Sequence, residues 1–542
     1  MAQIHGGQII ARALKNEGVD TLFALTGGHI LPILDGCVQE GIRVVDFRHE
    51  QAAAHAAEAY SRLTGKLGVA AVTAGPGVTD AITAVATAHF SGTPMLLLGG
   101  RHMLRQELMG GLQEMNHPPL LAPVTNWSGT AWQTDRLAAS VSVAVRHAHR
   151  GRGGPVFLDI PMDLQFDMVN EDGVAFPVNQ RANVAAGVDS DTLERIVGLL
   201  AKAERPVIFG GFSSGGGGNR LIEVAEALQA PTYTNGRARG SLPFDHDLAG
   251  NHSRSAAFAE ADLVLALGVD WDFRTGYGRK IADGAIVIQV DLDPTKIGWN
   301  RPVDLGVVAD PHTVVEQLAE SFHRFDRSGR SEWVDVIVER ERARRDELAT
   351  EAESDDIPIM PNRFARDVAG FFGPDSIIAV DGGDIVSTTA RWLQVSHPGH
   401  VLDPGPFGSL GTGAPYAIAA KVAFPSKRVG IVFGDGGFGF NGMEYDTMVR
   451  LGLPIIGVLG NDGVWSNIKT LHRMFYPDRM VATDLGRRPY HDVVTALGGH
   501  GALVEEPEGI VPALKAAEAS GLPALVNVHI AETMRASSNY SQ

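Results

Sequence analysis

The chain has 542 residues, 44% hydrophobic and 20% charged, so several domains can each bury a core, and the composition is neither that of a disordered nor of a fibrous polypeptide. Its 46 basic and 63 acidic residues leave a net charge of −17, which argues against a general nucleic-acid binder but not against a pocket for a small anion. The single cysteine, Cys37, rules out an intramolecular disulfide and fits a reducing compartment, while 64 glycines, about 12% against a usual ~7%, call for many tight turns or backbone-lined sites.

Met1-Ala2-Gln3-Ile4-His5 lacks the basic segment and apolar run of a signal peptide, and no stretch reaches ~18 apolar residues, so a cytoplasmic protein without a membrane span is expected. Short Val/Ile/Leu-rich runs then alternate with helix-length amphipathic segments. Buried strands are predicted at 69–73, 95–98, 156–160, 207–209, 263–267, 286–290, 377–380, 429–433 and 455–459, with crossover helices such as 51–63 and 220–228. The class is therefore α/β, with doubly wound parallel sheets covered on both faces.

Two breaks divide the chain: a polar, turn-rich stretch over 166–190, and 328–360, where the charged run 339–347 reads as a solvated helix before Ile357-Pro358-Ile359-Met360-Pro361. Three domains result, at 1–165, 190–328 and 356–530, followed by a tail, 531–542, that could close as a lid. Gly215-Gly216-Gly217-Gly218 reads as a flexible connection rather than a phosphate loop.

The most informative motif is Gly434-Asp435-Gly436-Gly437, directly after a predicted strand. Glycines at a strand's carboxyl end let backbone approach a phosphate, and the following helix offers free N–H groups. Asp462 follows Asp435 by 27 residues, one strand–helix–strand unit later, so adjacent parallel strands would bring both carboxylates to one sheet edge as hard-cation ligands. The same glycines also fit a dinucleotide fingerprint, Gly434-x-Gly436-x-x-Gly439, which would make the chain an NAD(P)-dependent oxidoreductase; a carboxylate inside that turn would repel a pyrophosphate unless a metal intervened. Nearer the start, Asp46-Phe47-Arg48-His49-Glu50 ends a strand and enters an Ala-rich helix in which His55 and Glu58 read as packing or salt-bridge residues. Ala74-Gly75-Pro76-Gly77 ends the next strand and opens another helix.

Taken together, His49-Glu50-Gln51-Ala52-Ala53, Gly75-Pro76-Gly77, Gly111-Leu112-Gln113-Glu114, Gly154-Pro155-Val156 with Asp159-Ile160-Pro161, and Gly434-Asp435-Gly436 with Asp462 resemble the thiamine-diphosphate (ThDP) enzymes of the acetolactate synthase, oxalyl-CoA decarboxylase, 2-hydroxyacyl-CoA lyase and benzaldehyde lyase group. The resemblance implies a pyrimidine-binding N-domain, a central domain and a diphosphate-binding C-domain. It also implies a homodimer at minimum, commonly a homotetramer, with each active site shared between two subunits. It implies that Glu50 hydrogen-bonds the aminopyrimidine and favours its imino tautomer, and that Leu410 is the apolar wedge bending the cofactor. Gly28, Pro76, Gly77, Asp384, Gly434, Asp435, Gly436, Gly437, Asp462 and Val464 are the remaining cofactor positions. Mg²⁺ would sit on Asp435, Asp462 and the Val464 carbonyl, with Asp462 standing where relatives usually carry Asn.

By the same resemblance His29 and Gln113 would face the substrate, the histidine relaying the hydroxyl proton during C–C cleavage. Arg237, Arg239, Arg254, Arg274 and Arg279, at or near predicted strand ends, could hold the phosphates of a CoA or ADP moiety, with Asp291 at its ribose; surface salt bridging is the alternative. The expected activity is cleavage of a 2-hydroxyacyl-CoA to an aldehyde or ketone plus formyl-CoA, reversibly. The alternative is an acetolactate synthase or benzaldehyde-lyase-type carboligase.

Overall fold

The computed structural model describes residues 2–182, 185–211, 218–321, 324 and 331–532. Residues 215–217 and all but the first two residues of the tail, whose lid reading is noted above, lie outside the described residues. The chain divides into two compact units, one of Met1–Ala182, Pro404–Ser426 and Gly439–Ile455, the other of Asn183–Asp403, Lys427–Phe438 and Ile456–Gln542.

Among the described residues, three six-stranded, wholly parallel sheets with flanking helices carry the architecture, beside a two-stranded antiparallel pair of Gln3–His5 with Met168–Asn170. The first has strands Thr21–Ala24, Arg43–Asp46, Gly68–Val72, Met95–Arg101, Trp127–Thr130 and Pro155–Pro161, arranged 2-1-3-4-6-5 when numbered in chain order. The second (Pro206–Gly210 to Leu305–Val308) runs 3-2-1-4-5-6, the order of dinucleotide-binding sheets. The third (Ile377–Asp381 to Ala524–His529) repeats the 2-1-3-4-6-5 order of the first. All nine predicted strands are present, eight with ends within one or two residues, and the one expected at 95–98 runs three residues further, to Arg101. Others escaped the hydrophobic pattern, among them the four-residue strands Thr21–Ala24 and Arg43–Asp46, too short for periodicity to register. The charged run lies inside the helix Ser331–Glu351.

In the first unit the helix Glu50–Thr64 starts where His49 Nδ1 accepts the Gln51 N–H (3.1 Å) and stops at Gly65, whose φ of 70° suits a left-handed cap. Its run of small alanines allows close packing, and it is buried along most of its length against its own sheet and the helix Gly413–Ala423. As expected, His55 and Glu58 are packing and salt-bridge residues: Glu58, fully buried, accepts from the Tyr416 hydroxyl at 2.6 Å and lies 3.6 Å from the Arg62 guanidinium. Among the described residues no helix is long and apolar enough to cross a membrane.

Candidate active site

In an open parallel sheet, ligands bind outside the carboxyl ends of the strands where the connections diverge to either side. The 2-1-3-4-6-5 order puts that switch point between strands one and three. In the first sheet these are Thr21–Ala24 and Gly68–Val72, so the turn holding Gly27, Gly28 and His29 faces the turn from Thr73 to Gly77. In the third they are Ile377–Asp381 and Val429–Gly434, so Gly382 to Asp384 faces Gly434 to Gly437.

Within the first unit, His29 Nδ1 lies 3.2 Å from Thr73 Oγ1, and that hydroxyl donates to Gln113 Oε1 at 3.3 Å. With the hydroxyl proton spent on Gln113, the oxygen accepts from His29, which fixes the Nδ1–H tautomer and leaves Nε2 as the acceptor. Burial, and then the neighbouring His102, lower the pKa of His29 below its ordinary 6.5, a backbone contact at Leu112 acting the other way. The histidine is therefore neutral near pH 7. Its backbone is held by Gln165 Nε2, which donates to the His29 carbonyl at 2.8 Å. Gln113 sits at φ 59° beside Gly75, and Glu50 is half-buried at the helix start, its Oε1 3.4 Å from where a Cβ on Gly77 would lie. Burial foremost, then the charge of Asp80, raise the pKa of the Glu50 carboxyl. His29 and Gln113 are thus linked through one residue, Thr73, that the motifs did not single out, and Thr73 and Glu50 both lie beside Gly77; the place of Thr73 one residue before the Ala74-Gly75-Pro76-Gly77 turn was the available signal. Leu410 is half-buried in the segment before the helix Gly413–Ala423, also in the first unit.

In the second unit, strands Val429–Gly434 and Ile456–Asn461 are direct neighbours, with Gly434 opposite Gly460, and both carboxylates reach one edge as the spacing predicted. Asp435 accepts from Gly436 N–H (2.9 Å) and Gly463 N–H (3.0 Å). Asp462 accepts from Val464 N–H (3.1 Å) and from the Ser466 hydroxyl. Burial, then the charge of Asp462, push the Asp435 carboxyl up to about 7, and neither aspartate forms an ion pair among the described residues. Gly436 cannot be replaced, because a Cβ there would stand 2.2 Å from the Trp465 ring. Beside the Gly383 backbone, Asn467 leaves Oδ1 buried without a hydrogen bond. Two adjacent, unneutralised carboxylates at a glycine-lined edge have the donor chemistry of a hard dication carrying a phosphate.

The arginines proposed for a nucleotide separate. Arg274 is engaged by Asp272 through both oxygens (2.6 to 3.2 Å), so for it the salt-bridge alternative holds. Arg254 donates to the Arg274 carbonyl (3.2 Å) and lies over Phe209, and Arg279 lies over Tyr277. Asp291 is fully buried, its carboxylate accepting from Asp293 N–H (2.8 Å). Arg237 lies half-buried in the turn Gly236–Ala238. Arg239 instead lines a cavity of about 240 Å³ within the second unit, together with Arg345, Arg391, Phe244, Trp392 and Leu393. Glu341 also lines it, but its carboxylate is taken up by the N–H groups of Asn251, His252 and Ser253 (2.9 to 3.1 Å) and by the Ser253 hydroxyl (2.7 Å). Arg239 and Arg345 form no ion pair among the described residues, so the cavity keeps a positive surplus.

Two like sheets presenting an acid–histidine–amide group and a paired-carboxylate, glycine-lined edge define an enzyme class that uses a diphosphate cofactor. Family models agree: residues 4–120 match the N-terminal TPP binding domain of thiamine pyrophosphate enzymes, 193–318 their central domain and 381–528 their C-terminal TPP binding domain. The chain is 40% identical to the acetolactate synthase large subunit IlvG of Mycobacterium tuberculosis over 529 residues, covering 97% of this chain and 95% of that protein. It is 32% identical to 2-hydroxyacyl-CoA lyase 2 of Homo sapiens over 579 residues (98% and 90%) and 33% identical to the Bos taurus protein of that name, with the same coverage. The chain belongs to the thiamine pyrophosphate enzyme family.

Proposed function

We propose that this enzyme is a carbon–carbon lyase that cleaves 2-hydroxyacyl-CoA thioesters to an aldehyde or ketone and formyl-CoA. The observation that carries this reading is His29, held at Nδ1 by the Thr73 hydroxyl (3.2 Å) beside Gln113 at the carboxyl edge of the first sheet. A 2-hydroxyacyl substrate brings a hydroxyl that must lose its proton as the bond breaks, whereas a 2-keto acid brings none. The arginine-lined, partly apolar cavity of the second unit supports it, since it suits the phosphates of CoA. ThDP would be held by Gly28, Glu50, Pro76, Gly77 and Leu410 on one side and by Asp384, Gly434, Gly436 and Gly437 on the other. Asp435, Asp462 and the Val464 carbonyl would hold Mg²⁺. The active form would be at least a homodimer.

When bound, the cofactor supplies a nucleophilic carbon and an electron sink for the thioester carbonyl carbon. Glu50, its pKa raised by burial, would hydrogen-bond a ring nitrogen of the cofactor. His29 Nε2 takes the hydroxyl proton while the C1–C2 bond opens and the C2–O bond becomes a carbonyl. The same nitrogen returns that proton to C1, which leaves as formyl-CoA. Gln113 orients the hydroxyl.

Thr73→Val would leave Nδ1–H without its acceptor and free the tautomer, and is expected to lower kcat by about tenfold. In the unaltered enzyme the base form of His29 is lost only as pH falls through its lowered pKa, so the acid limb of kcat/KM should bend below 6.5. Both are read from pH–rate profiles.

The deciding experiment is turnover of a panel of 2-hydroxyacyl-CoAs and 2-keto acids with ThDP and Mg²⁺. Release of formyl-CoA is expected; pyruvate turnover with no reaction on any CoA ester would overturn the reading. The second reading, acetolactate synthase, is favoured by the higher identity to the M. tuberculosis protein of that name.

A further inference from the structure

A buried polar chain runs behind the Gly75-Pro76-Gly77 turn. Gly75 adopts φ 57° and ψ −110°, and its N–H donates to Nε2 of His117 at 3.0 Å. His117 Nδ1 lies 2.9 Å from Asp159 Oδ1. The other oxygen of Asp159 accepts from Arg101 Nη1 (2.9 Å) and from the Thr130 hydroxyl (3.3 Å), and Arg101 in turn grips both oxygens of Glu107 (2.8 and 2.9 Å). His117 and Asp159 are fully buried, and Arg101 is 4% exposed.

The proton count admits one arrangement. Nε2 accepts from a backbone amide, so it carries no hydrogen, and Nδ1–H must donate to the carboxylate. Asp159, anchored by Arg101, therefore sets the tautomer of His117, and His117 supplies the acceptor for an amide that the left-handed Gly75 conformation turns inward. That amide belongs to the turn lying between Gln113, whose Cβ is 3.0 Å from where a Gly75 Cβ would be, and Glu50, which Gly77 faces. We infer that His117 is a positioning residue: with Asp159 it clamps the Gly75 amide and thereby sets the turn against which Gln113 and Glu50 are placed. The inference rests on the reading that those two side chains face the reacting groups, but the clamp itself is testable without it.

Three proteins decide the matter: the unaltered chain, His117→Leu, which removes the acceptor, and His117→Gln, whose Oε1 can accept from Gly75 while its amide donates to Asp159. Amide hydrogen exchange, read by mass spectrometry on peptides covering 73–79, should be slow in the unaltered protein, about tenfold faster in His117→Leu and near the original in His117→Gln. The leucine variant should lose about tenfold or more in kcat with KM changed less than about threefold, and weaken ThDP binding measured by calorimetry; the glutamine variant should restore both. Fast exchange at Gly75 in the unaltered protein would overturn the inference, as would a glutamine variant no better than leucine. If the leucine variant does not fold, His117→Met carries the same comparison. Should the substrate panel show no reaction on any CoA ester, the proposed function fails while the exchange result still judges the clamp.

Discussion

Replacing Glu50 with glutamine is expected to lower kcat by about 10²- to 10⁴-fold, the range for losing a positioned acid–base group, while leaving the fold intact. Glutamine has the same length and keeps the half-buried place at the helix start, so packing against Gly77 survives. What is lost is the ionisable proton. Burial raises the pKa of this carboxyl, which keeps the protonated form accessible, and an amide cannot alternate between acid and carboxylate at a cofactor ring nitrogen. The check is steady-state turnover alongside ThDP affinity by calorimetry. A fall in kcat with affinity changed by less than about tenfold places the loss in chemistry, whereas unchanged turnover would remove Glu50 from the mechanism.

Asp435→Asn should act on the other half of the site and with a different signature. Asp435 accepts from two backbone N–H groups, and an amide there turns one acceptor into a donor facing a donor. It also removes one of two neighbouring buried carboxylates whose mutual repulsion is unneutralised by any ion pair among the described residues. For the protein alone the two effects oppose, so its melting temperature should shift little. With Mg²⁺ and ThDP present, loss of a charged hard-cation ligand should weaken cofactor retention by about 100-fold, which removes roughly 2.7 kcal/mol of ligand-linked stability at matched concentration. Differential scanning calorimetry with and without cofactor reads both. Chelation of divalent ions should reproduce the loss in the unaltered enzyme, and a variant that stays as stable with cofactor as the original would exclude Asp435 from the metal site.

The parts of this site that were legible in the sequence are those whose chemistry is local. The Gly434-Asp435-Gly436 turn needs glycine at Gly436, where an added Cβ would stand 2.2 Å from the Trp465 ring, and a 27-residue spacing suffices to predict that Asp462 stands at the end of the neighbouring strand. Continuous Val/Ile/Leu runs likewise announce strands covered on both faces. The cavity arginines show the opposite case. Arg239 and Arg274 read alike as residues at strand ends, yet Arg274 is tied down by Asp272 two residues away, while Arg239 reaches a cavity formed with Arg345 and Arg391 from distant segments. The partners of a flexible five-donor side chain depend on what packs beside it, which no window of sequence contains.

The sequence by itself determined the α/β class, the glycine turns and the shared sheet edge of Asp435 and Asp462, because these follow from hydrophobic period, turn chemistry and spacing along the chain, while Glu50 and His29 were implied as site residues by the resemblance of the motifs. Only the tertiary structure decided that Thr73 joins His29 to Gln113 and that His117 and Asp159 hold the Gly75 amide. These depend on strand order, 2-1-3-4-6-5, which sets which turns face one another across a switch point. Hydrogen bonds between residues about 40 positions apart, such as those of Thr73 to His29 and Gln113 and of Gly75 to His117, exist only once that order has folded.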